Sequence, residues 1–537
     1  MSHAPDSTTE NEPFRKWLTG GWAISGVVLV FLVIAFYIEE DWRGEAYWKQ
    51  AQEDIAAQGE SLDPDKFVPP PVPDEENFGV LPIFHLDPDP ASASSRYAED
   101  LSPMKMKRAF SRVSPNNLPT SSTERLEPDQ LPYLGKWSKG EQPDLSVIKK
   151  RLADLCHREL PTARLSPNAS LTDMFGLLCP ALANLRAAAA THPLCRFEED
   201  YTSEPAFSRQ MGGITSPLQM AQVLSYEERL SLLGNQPQLV LDDLRVGWKV
   251  DSGVRQEPLL IAGLISMGVV AIQMEGVREG LAEHAWNDQQ LEEIDNALGK
   301  IDYLKESQFC IRGDTAVVSI PTADYLKEHR LRIQEAMLGM PLTSSWDEEI
   351  GSFIFSTGAL LIPNGWFDDF KADNARFHLL GTVRMVDPAL RRVFPEKEAR
   401  ALRLIQDARE SSFWRDYLIR ALEPMLRSVK RFAYTQTQID EARIACRLER
   451  YRLAHGKYPD ALGALMPVYG ADLPHDVMNG QLYHYKPLSD GTYLLYSVGW
   501  DQIDDGGREN VTSTGYHYYL DDPDWVWVNH PDLKKSK

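Results

Sequence analysis

The first long hydrophobic run of the chain extends from Trp17 to Ile38 and contains no charged side chain. A helix of these 22 residues measures roughly 33 Å, which is enough to cross a hydrocarbon core of about 30 Å. The pattern therefore predicts a transmembrane helix over residues 17–38. Aromatic residues stand near both ends of the run, as in the interfacial belts of membrane proteins: Trp17, Trp22, Tyr37 and Trp42.

The charges that flank this run predict its orientation. Arg15 and Lys16 precede it, whereas three consecutive acidic residues follow it, and the positively charged side of a span stays in the cytoplasm. The end of the run also lacks the small residues that a signal peptidase needs. We therefore expect an uncleaved anchor, with residues 1–16 inside and most of the chain exported.

A second apolar run, from Pro258 to Met274, covers 17 residues and contains a proline and two glycines. It is short for a membrane span, and a helix that is apolar on all sides is also typical of a protein core. We interpret this run, and the shorter one from Gly351 to Pro363, as core segments.

Residues 39–143 are predicted to connect the anchor to a folded body. Residues 39–59 continue a helical pattern, whereas residues 61–95 are rich in Pro, Asp and Ser. Proline fixes φ and removes a hydrogen-bond donor, so such a stretch is expected to be extended rather than packed. We predict a spacer that lifts the body away from the bilayer.

Between residues 144 and 423 the hydrophobic pattern is helical, because apolar residues recur at i, i+3 and i+4. The neighbouring segments Leu218–Leu233 and Leu239–Val250 are similar to one helical hairpin of the tetratricopeptide kind. No regular period of about 34 residues follows, so the pattern predicts an irregular helical bundle rather than a solenoid.

The period of the pattern changes near the C-terminus. Pro424 opens a run without Pro or Gly that continues to His455, and Gly456 ends it, as expected at the two ends of a helix. Alternating segments follow on both sides of an Asp490-Gly491 turn, which is a hairpin signal. The predicted strands are LYHYK (482–486), TYLLYSV (492–498) and DWVWV (524–528).

These patterns together predict an α+β fold: a mainly helical body, built as an irregular helical-hairpin bundle, and a small module in which a long helix packs on an antiparallel sheet. The predicted divisions are a cytoplasmic tail (1–16), a transmembrane helix (17–38), a juxtamembrane and Pro-rich spacer (39–143), an α-helical domain (144–423), a C-terminal α+β module (424–530) and a tail (531–537).

Composition narrows the classes of partner and ligand. The chain carries 78 Asp and Glu against 56 Lys and Arg, a net charge of −22, which argues against nucleic acid because phosphate binding needs clustered cations. Five cysteines without a CxxC pair give no support for a zinc site. If the domain is exported, one disulfide is possible, and we expect it among Cys156, Cys179 and Cys195 rather than at Cys310 or Cys446.

An ordered set of motifs runs from Ala442 to Gly507. Its residues are Leu448-Glu449-x-Tyr451-Arg452-Leu453, Gly456-x-Tyr458-Pro459, Leu462, Leu465, Pro474-x-Asp476, Gly480, Tyr483-x-Tyr485, Tyr496-Ser497-x-Gly499 and Asp505-Gly506-Gly507. This segment resembles the globular part of the major pseudopilin of type II secretion, which implies a pseudopilin-like long helix and small sheet. A pseudopilin carries its membrane helix directly before this domain, whereas about 400 residues intervene here. We therefore expect a reused module that builds no filament.

A second resemblance rests on seven longer sequence segments that are spread over most of the chain. They are VPPPVPDEENF (68–78), CRFEEDY (195–201), EPLLI (257–261), NGWFDDFKADNAR (364–376), LPHDVMNGQLYHY (473–485), LYSVGWDQIDDGG (495–507) and DWVW (524–527). With these segments the chain looks like a group of uncharacterised bacterial single-pass envelope proteins. The resemblance implies an inner-membrane location with a periplasmic bulk, and it implies no mechanism.

The pseudopilin resemblance also implies a candidate metal site. Pseudopilins of this type bind calcium in the loop after the last core strand, which here is residues 497–507. Calcium takes about six to eight oxygen ligands, and Asp501, Asp504 and Asp505 could supply several of them together with loop carbonyls. A solvated Asp/Gly turn is the alternative. No other cofactor is predicted.

Four polar residues near the C-terminus invite an enzymatic interpretation: His475, Asp476, His484 and Ser497. No GxSxG elbow, HExxH motif or Gly-rich phosphate loop accompanies them, so the sequence does not favour catalysis. Trp525 and Trp527 share one face of a strand, and we expect them to pack against the long helix.

The sequence therefore predicts a membrane-anchored envelope protein that acts as a non-enzymatic scaffold with protein partners in the envelope. Two alternatives stay open. One is an envelope hydrolase with a constellation that the motifs do not reveal. The other is an accessory protein of a secretion or pilus-like system.

Overall fold

The computed structural model of the chain is mainly helical with small antiparallel sheets. The residues that it describes are 12–81, 83–84, 134, 143–160, 164–197, 200–201, 203, 205–206, 212–332, 358, 360–409, 423–466, 468–470, 472–508, 520 and 522–527. Residues 1–11 and 531–537 of the predicted tails, most of the second half of the predicted spacer and most of the run from Gly351 to Pro363 lie outside these residues. At the described end of that run Ile362 is buried, but Leu360 and Leu361 are exposed, so the core prediction is wrong for these two leucines.

Thirteen helices are described in this part of the chain. They are α1 (Glu12–Ala57), α2 (Leu145–Glu159), α3 (Leu171–Leu178), α4 (Ala181–Thr191), α5 (Gly212–Leu233), α6 (Pro237–Val254), α7 (Leu260–Ala282), α8 (Asp288–Leu298), α9 (Tyr303–Asp314), α10 (Ile320–Glu328), α11 (Asn364–Ala375), α12 (Glu398–Arg409) and α13 (Glu423–His455).

Helix α1 changes character along its length without a break. From Ile24 to Phe36 every side chain is exposed, on all sides of the helix. Beyond Ile38 a buried stripe begins, and it passes through Glu40, Gly44, Ala51 and Ile55. Spacings of four and seven residues keep these positions on one face of a helix, so the second half of α1 has one packing surface.

That packing surface lies against α11, and two glycines set the distance between the helices. A Cβ on Gly44 would collide with the backbone of Gly365, and a Cβ on Gly365 would collide with the carbonyl of Glu40. The Asp41 carboxylate accepts a bond of 2.9 Å from the Gly365 amide, one of the unpaired donors at the start of α11. Trp366 Nε1 donates to Glu40 at 2.6 Å, so the two helix ends are also joined by side chains.

The interface continues along the helix. Tyr47 Oη donates to Asp373 at 2.9 Å, and Arg376 pairs with Asp54 at 2.6 Å while its guanidinium lies 4.5 Å from the Tyr47 ring centroid. At the far end Arg312 pairs with Glu60 at 2.6 Å. The second half of α1 is therefore part of the body.

The predicted helical pattern of residues 39–59 is confirmed for residues 39–57, whereas the expected extended and unpacked stretch is wrong for the described part of residues 61–84. Residues 39–57 belong to α1 and dock on the body, and Phe78 and Phe84 lie fully buried in one of its cores. Asn77 holds this segment in place, because its side-chain amide donates to Arg196 O at 3.0 Å and its oxygen accepts from Arg196 N at 2.8 Å. The prolines give this stretch its shape, but apolar side chains between them make it pack.

Two hydrophobic cores hold the helical body together. One joins α2 to α5 with residues 78–84, and the other joins α7, α8, α9, α12 and α13 with the C-terminal sheet. Helix α7 takes part in both. Helix α7 also passes a length and hydropathy test for a membrane-spanning helix, but 61% of its most apolar window is buried inside the protein. Its residues Leu260–Met274 are therefore core, as the sequence predicts.

A bent helix pair also meets that length and hydropathy test when it is taken as one span. Helices α3 and α4 meet at 87° across a break of two residues. Leu171, Phe175, Leu182 and Leu185 in this pair are buried in the core that includes α5.

Helix α13 is confirmed as a long helix, but it is not set apart from the body. Arg443 and Arg447 on α13 both donate to the Asp295 carboxylate on α8, at 2.9 and 2.7 Å. Gln436 Oε1 accepts from the amide of Tyr303 at the start of α9, at 2.8 Å. These bonds and the shared core make the C-terminal module continuous with the helical body.

The C-terminal sheet has the order β3-β4-β5, and each neighbouring pair is antiparallel. The strands are β3 (His484–Pro487), β4 (Tyr493–Ser497) and β5 (Trp525–Val526). The predicted hairpin forms between β3 and β4, where Gly491 adopts φ +87° and Asp490 accepts bonds from Thr492. A short pair, β1 (Val386–Asp387) and β2 (Arg392–Val393), precedes it.

The glycine contact between α1 and α11 gives a direct test. Gly365→Ala places a methyl group against the α1 backbone, which has no side chain that could move away, so the helices must separate. We expect a loss of about 1–3 kcal/mol in the free energy of unfolding, measured by urea denaturation of the full chain in detergent.

Gly176→Ala in α3 is the matched control, because nothing lies within 4 Å of the added Cβ. The control should leave the unfolding midpoint unchanged or raise it slightly. Equal midpoints for Gly365→Ala and the wild type would contradict the proposed tight contact.

Candidate functional site

The loop that follows β4 contains the three predicted calcium ligands. Asp501 Oδ1 accepts from the amide of Ile503 at 3.0 Å, and Asp504 Oδ1 accepts from the amide of Gly506 at 3.0 Å. Asp505 pairs with Arg508 at 2.6 Å. Each carboxylate therefore has a local partner two or three residues ahead, as in ordinary Asx turns.

A fourth carboxylate, which sequence reasoning missed, organises the same loop. Asp524 precedes β5 and accepts hydrogen bonds from the amides of Asp505, Gly507 and Arg508, at 3.4, 2.8 and 3.2 Å. Burial raises the pKa of Asp524, and these three amides oppose that rise. The loop conformation thus depends on a residue that follows it by about 20 positions, which no local motif indicates.

Among the described residues no group of three or more His, Cys, Asp and Glu side chains is arranged to hold a metal ion. The loop oxygens of Asp501, Asp504 and Asp505 are close in sequence, and calcium binding there stays a prediction. Calcium would have to compete with the amides of residues 503 and 506 and with Arg508 for these oxygens.

Two of the four residues that suggested a hydrolase, Asp476 and Ser497, are bonded to each other in a structural role. Asp476 is buried, and its two oxygens accept from Ser497 Oγ at 2.9 Å, from Val498 N at 3.1 Å and from Met478 N at 2.9 Å. His484 faces Asp504, at 3.4 Å. The Ser497 hydroxyl therefore joins a loop to β4.

Both tryptophans near the C-terminus are buried, and Trp525 packs on the long helix as expected, whereas the ring contact of Trp527 is with a residue of α7. Trp525 is buried and meets the ring of Tyr434 on α13 edge to face, with centroids 5.3 Å apart. Trp527 is also buried, and the guanidinium of Arg278 lies 4.9 Å from its ring centroid. Both rings hold the sheet on the helices.

Buried carboxylates gather where α5, α6 and α7 meet, and sequence reasoning missed these as well. Arg186 on α4 pairs with Glu227 at 2.7 Å and with Asp243. Glu228 is fully buried, and its carboxyl group lies against Gly276 of α7. Burial, together with Asp243, Glu227 and Glu279, raises the pKa of Glu228 well above its usual range. A neutral carboxyl costs much less to bury, so the cluster fits a packing role.

A second polar cluster joins the end of α7 to the C-terminal module. Glu449 on α13 accepts from His284 at 2.9 Å, from Tyr458 at 2.9 Å and from Arg452 at 2.7 Å. Burial opposes ionisation of Glu449, but the bonds from Arg452, His284 and Tyr458 outweigh it and lower its pKa to about 2. The cavity beside it is only about 50 Å³, which is too small for a sizeable substrate.

One surface feature with room for a partner is a groove between α6 and α8, with a volume of about 530 Å³, and a second groove of about 520 Å³ lies beside α3. We call the first one the α6–α8 groove. Its side chains combine an aromatic ring, amides and charges of both signs, and one pair of these charges forms an ion pair, because Arg245 binds Glu293 at 2.5 Å. The groove is lined by Arg245, Trp248, Lys249, Ser252, Arg255, Gln289, Glu292, Glu293, Asn296, Ala297, Lys300 and Ile301.

All five cysteines are free and buried, so no pair among Cys156, Cys179 and Cys195 forms a disulfide in this structure. Burial raises the pKa of the Cys179 and Cys195 thiols to about 12. These thiols are therefore poor nucleophiles, and they act as small apolar side chains in the core.

Comparison with protein families, with curated proteins and with solved structures found no match. The resemblance to a pseudopilin and to single-pass envelope proteins therefore stays an expectation from the sequence. The observed long helix and three-stranded sheet are the coarse features that this expectation shares with the structure.

The calcium prediction is tested by thermal unfolding with and without calcium. If the loop binds calcium, calcium at roughly millimolar concentration should raise the melting temperature of the wild type, because a ligand that binds the folded state stabilises it. The double variant Asp504→Ala, Asp505→Ala should lose this rise, and magnesium should not reproduce it. A wild-type melting temperature that does not change with calcium rules out the site.

Proposed function

We propose that the chain is a single-pass membrane protein that holds a rigid helical scaffold at the outer face of a bacterial inner membrane. The observation that carries the proposal is the first half of α1. Its side chains from Ile24 to Phe36 are mostly large and apolar, and they are exposed on every side of the helix. Exposure of so much apolar surface to water is unfavourable. A bilayer accommodates such a helix, because lipid covers the apolar side chains and every backbone hydrogen bond is made within the helix.

The flanking charges support the orientation. Arg15 and Lys16 stand before the apolar segment, and the acidic residues after it belong to the part of α1 that docks on α11. The body, which carries most of the acidic charge, would thus lie on the side opposite the positive flank.

A scaffold role is supported by how the buried charges are used. Arg255, which directly follows α6, pairs with Asp251 of α6 at 2.7 Å and with Glu306 of α9 at 2.8 Å. Asp295 likewise joins α8 to α13. Such pairs connect helices to one another, and removing one partner of a buried pair is strongly destabilising. The ionisable groups therefore support a stiff body.

Helix α13 supports a scaffold rather than a filament subunit. Its middle, from Ile439 to Leu448, is buried on nearly all sides by the body and the sheet. The α6–α8 groove is the surface that we assign to a partner. Trp248 offers an apolar contact, while Gln289 and Asn296 offer the donors and acceptors that an extended peptide segment needs.

Cysteine labelling tests the topology. The native cysteines are buried, so an exposed cysteine introduced at Ser489 reports its own side of the membrane. In intact spheroplasts, Ser489→Cys should react with a membrane-impermeant maleimide, whereas Ser2→Cys should react only after permeabilisation. The protein should also resist carbonate extraction. Labelling of Ser489→Cys only after permeabilisation, or release by carbonate, contradicts the proposal.

Capture of partners tests the scaffold. Asn296→Trp fills the α6–α8 groove, and Gln222→Trp on α5 is the control, because both positions are exposed amides on helices. After cross-linking and detergent solubilisation, the wild type and the control should retain the same protein partner. Asn296→Trp should reduce its recovery about tenfold. Equal recovery from both variants rules out the groove, and no captured partner rules out the scaffold.

A further inference from the structure

Three exposed leucines lie close to the end of the apolar segment of α1. Leu331 is 62% exposed, and Leu360 and Leu361 are 52% and 69% exposed. Leu360 and Leu361 are on a turn that the Leu361 amide closes by donating to Gly358 O at 3.0 Å. These three residues are called the leucine face below.

The leucine face is fixed at a known position along α1. Tyr37 Oη donates to the carbonyl of Leu361 at 2.7 Å, and Tyr37 is the next-to-last residue of the apolar run. The tip of the turn therefore lies beside the point where the apolar run ends and the acidic residues begin. In a membrane protein this is the level of the interface, where tyrosine is enriched.

Further bonds join the two parts of the face to each other and to α1. Arg330 Nη1 donates to Leu360 O at 3.1 Å, so the residue directly before Leu331 is bonded to the turn. Asn364, which begins α11, donates to Asp41 at 3.4 Å, and the Gly365 amide donates to the same carboxylate. The glycine contact between α1 and α11 lies one helical turn further on, so the turn cannot shift far along α1.

We propose that the leucine face inserts into the lipid interface and forms a second membrane contact of the body, beside its anchor. The proposal rests on the proposed membrane anchor. The occupant is a lipid surface because the face is continuous with a helix that lipid surrounds and lies at the same level as its end. Apolar side chains at this depth bury themselves in the boundary between head groups and acyl chains.

Leu390, in the β1–β2 turn near the far end of α1, supplies a control position. Gln58, which follows α1, accepts from Arg384 at 3.0 Å, and it lies 20 residues, or roughly 30 Å, beyond Ile38. Leu390 follows in the β1–β2 turn and is 65% exposed, which is close to the value for Leu361. It is therefore an exposed leucine of the same kind, far from the proposed interface.

The experiment uses the full chain in vesicles of phosphatidylethanolamine and phosphatidylglycerol. Leu361→Cys, Leu331→Cys and Leu390→Cys are each labelled with an NBD fluorophore, which the buried native cysteines do not take up. Lipids with a quencher near the head of the acyl chain are then added. We expect the labels at positions 361 and 331 to be quenched at least about twofold more than the label at position 390.

The outcomes separate this proposal from the anchor. If the protein resists carbonate and the label at 361 is quenched no more than that at 390, the leucine face does not touch lipid and the anchor stands. If carbonate releases the protein, the anchor fails and the leucine face fails with it. Equal strong quenching at all three positions also contradicts the proposal, because the contact would then have no defined depth.

Discussion

The contact between Gly44 and Gly365 is the constraint on which the arrangement of this protein depends. It lets α1 and α11 approach until their backbones touch. Only at that distance can Asp41 and Glu40 accept hydrogen bonds from α11 and Tyr47 donate one to it. The exposed apolar half of α1 and the docked half are one helix, so this contact also fixes the body relative to the apolar segment. A flexible tether would leave that relation open.

Charge pairs fix the C-terminal module to the body, as the glycine contact fixes α1 to α11. Asp295 receives both Arg443 and Arg447, and Glu449 receives Arg452, Tyr458 and His284 from the end of α7. The module and the body share one hydrophobic core as well. This C-terminal segment is thus built into a larger unit, which is why the middle of its long helix, from Ile439 to Leu448, is almost fully buried.

Local signals predicted the elements better than their arrangement. Pro424 and Gly456 bracket α13, and Asp490-Gly491 marks the β3–β4 hairpin, because caps and turns depend on neighbouring residues. The docking of α1 on α11 depends on residues more than 300 positions apart, and a glycine gives no sign of its distant partner. The Pro-rich composition of residues 61–84 likewise indicated an extended stretch and gave no sign that Phe78 and Phe84 are buried in a core. Asp524 acts on loop amides that carry no side-chain signal.

The separation between α1 and its partner has a consequence for biogenesis. Tyr37 and Leu361 are 324 residues apart, and Asp54 and Arg376 are 322 apart. Helix α1 is synthesised first, yet its docking stripe, with Ala51 and Ile55, has no partner until α11 has been synthesised. Contacts of such long range form late. The body therefore completes itself only after synthesis has passed residue 376, so a shorter nascent chain would expose an uncovered apolar stripe on α1.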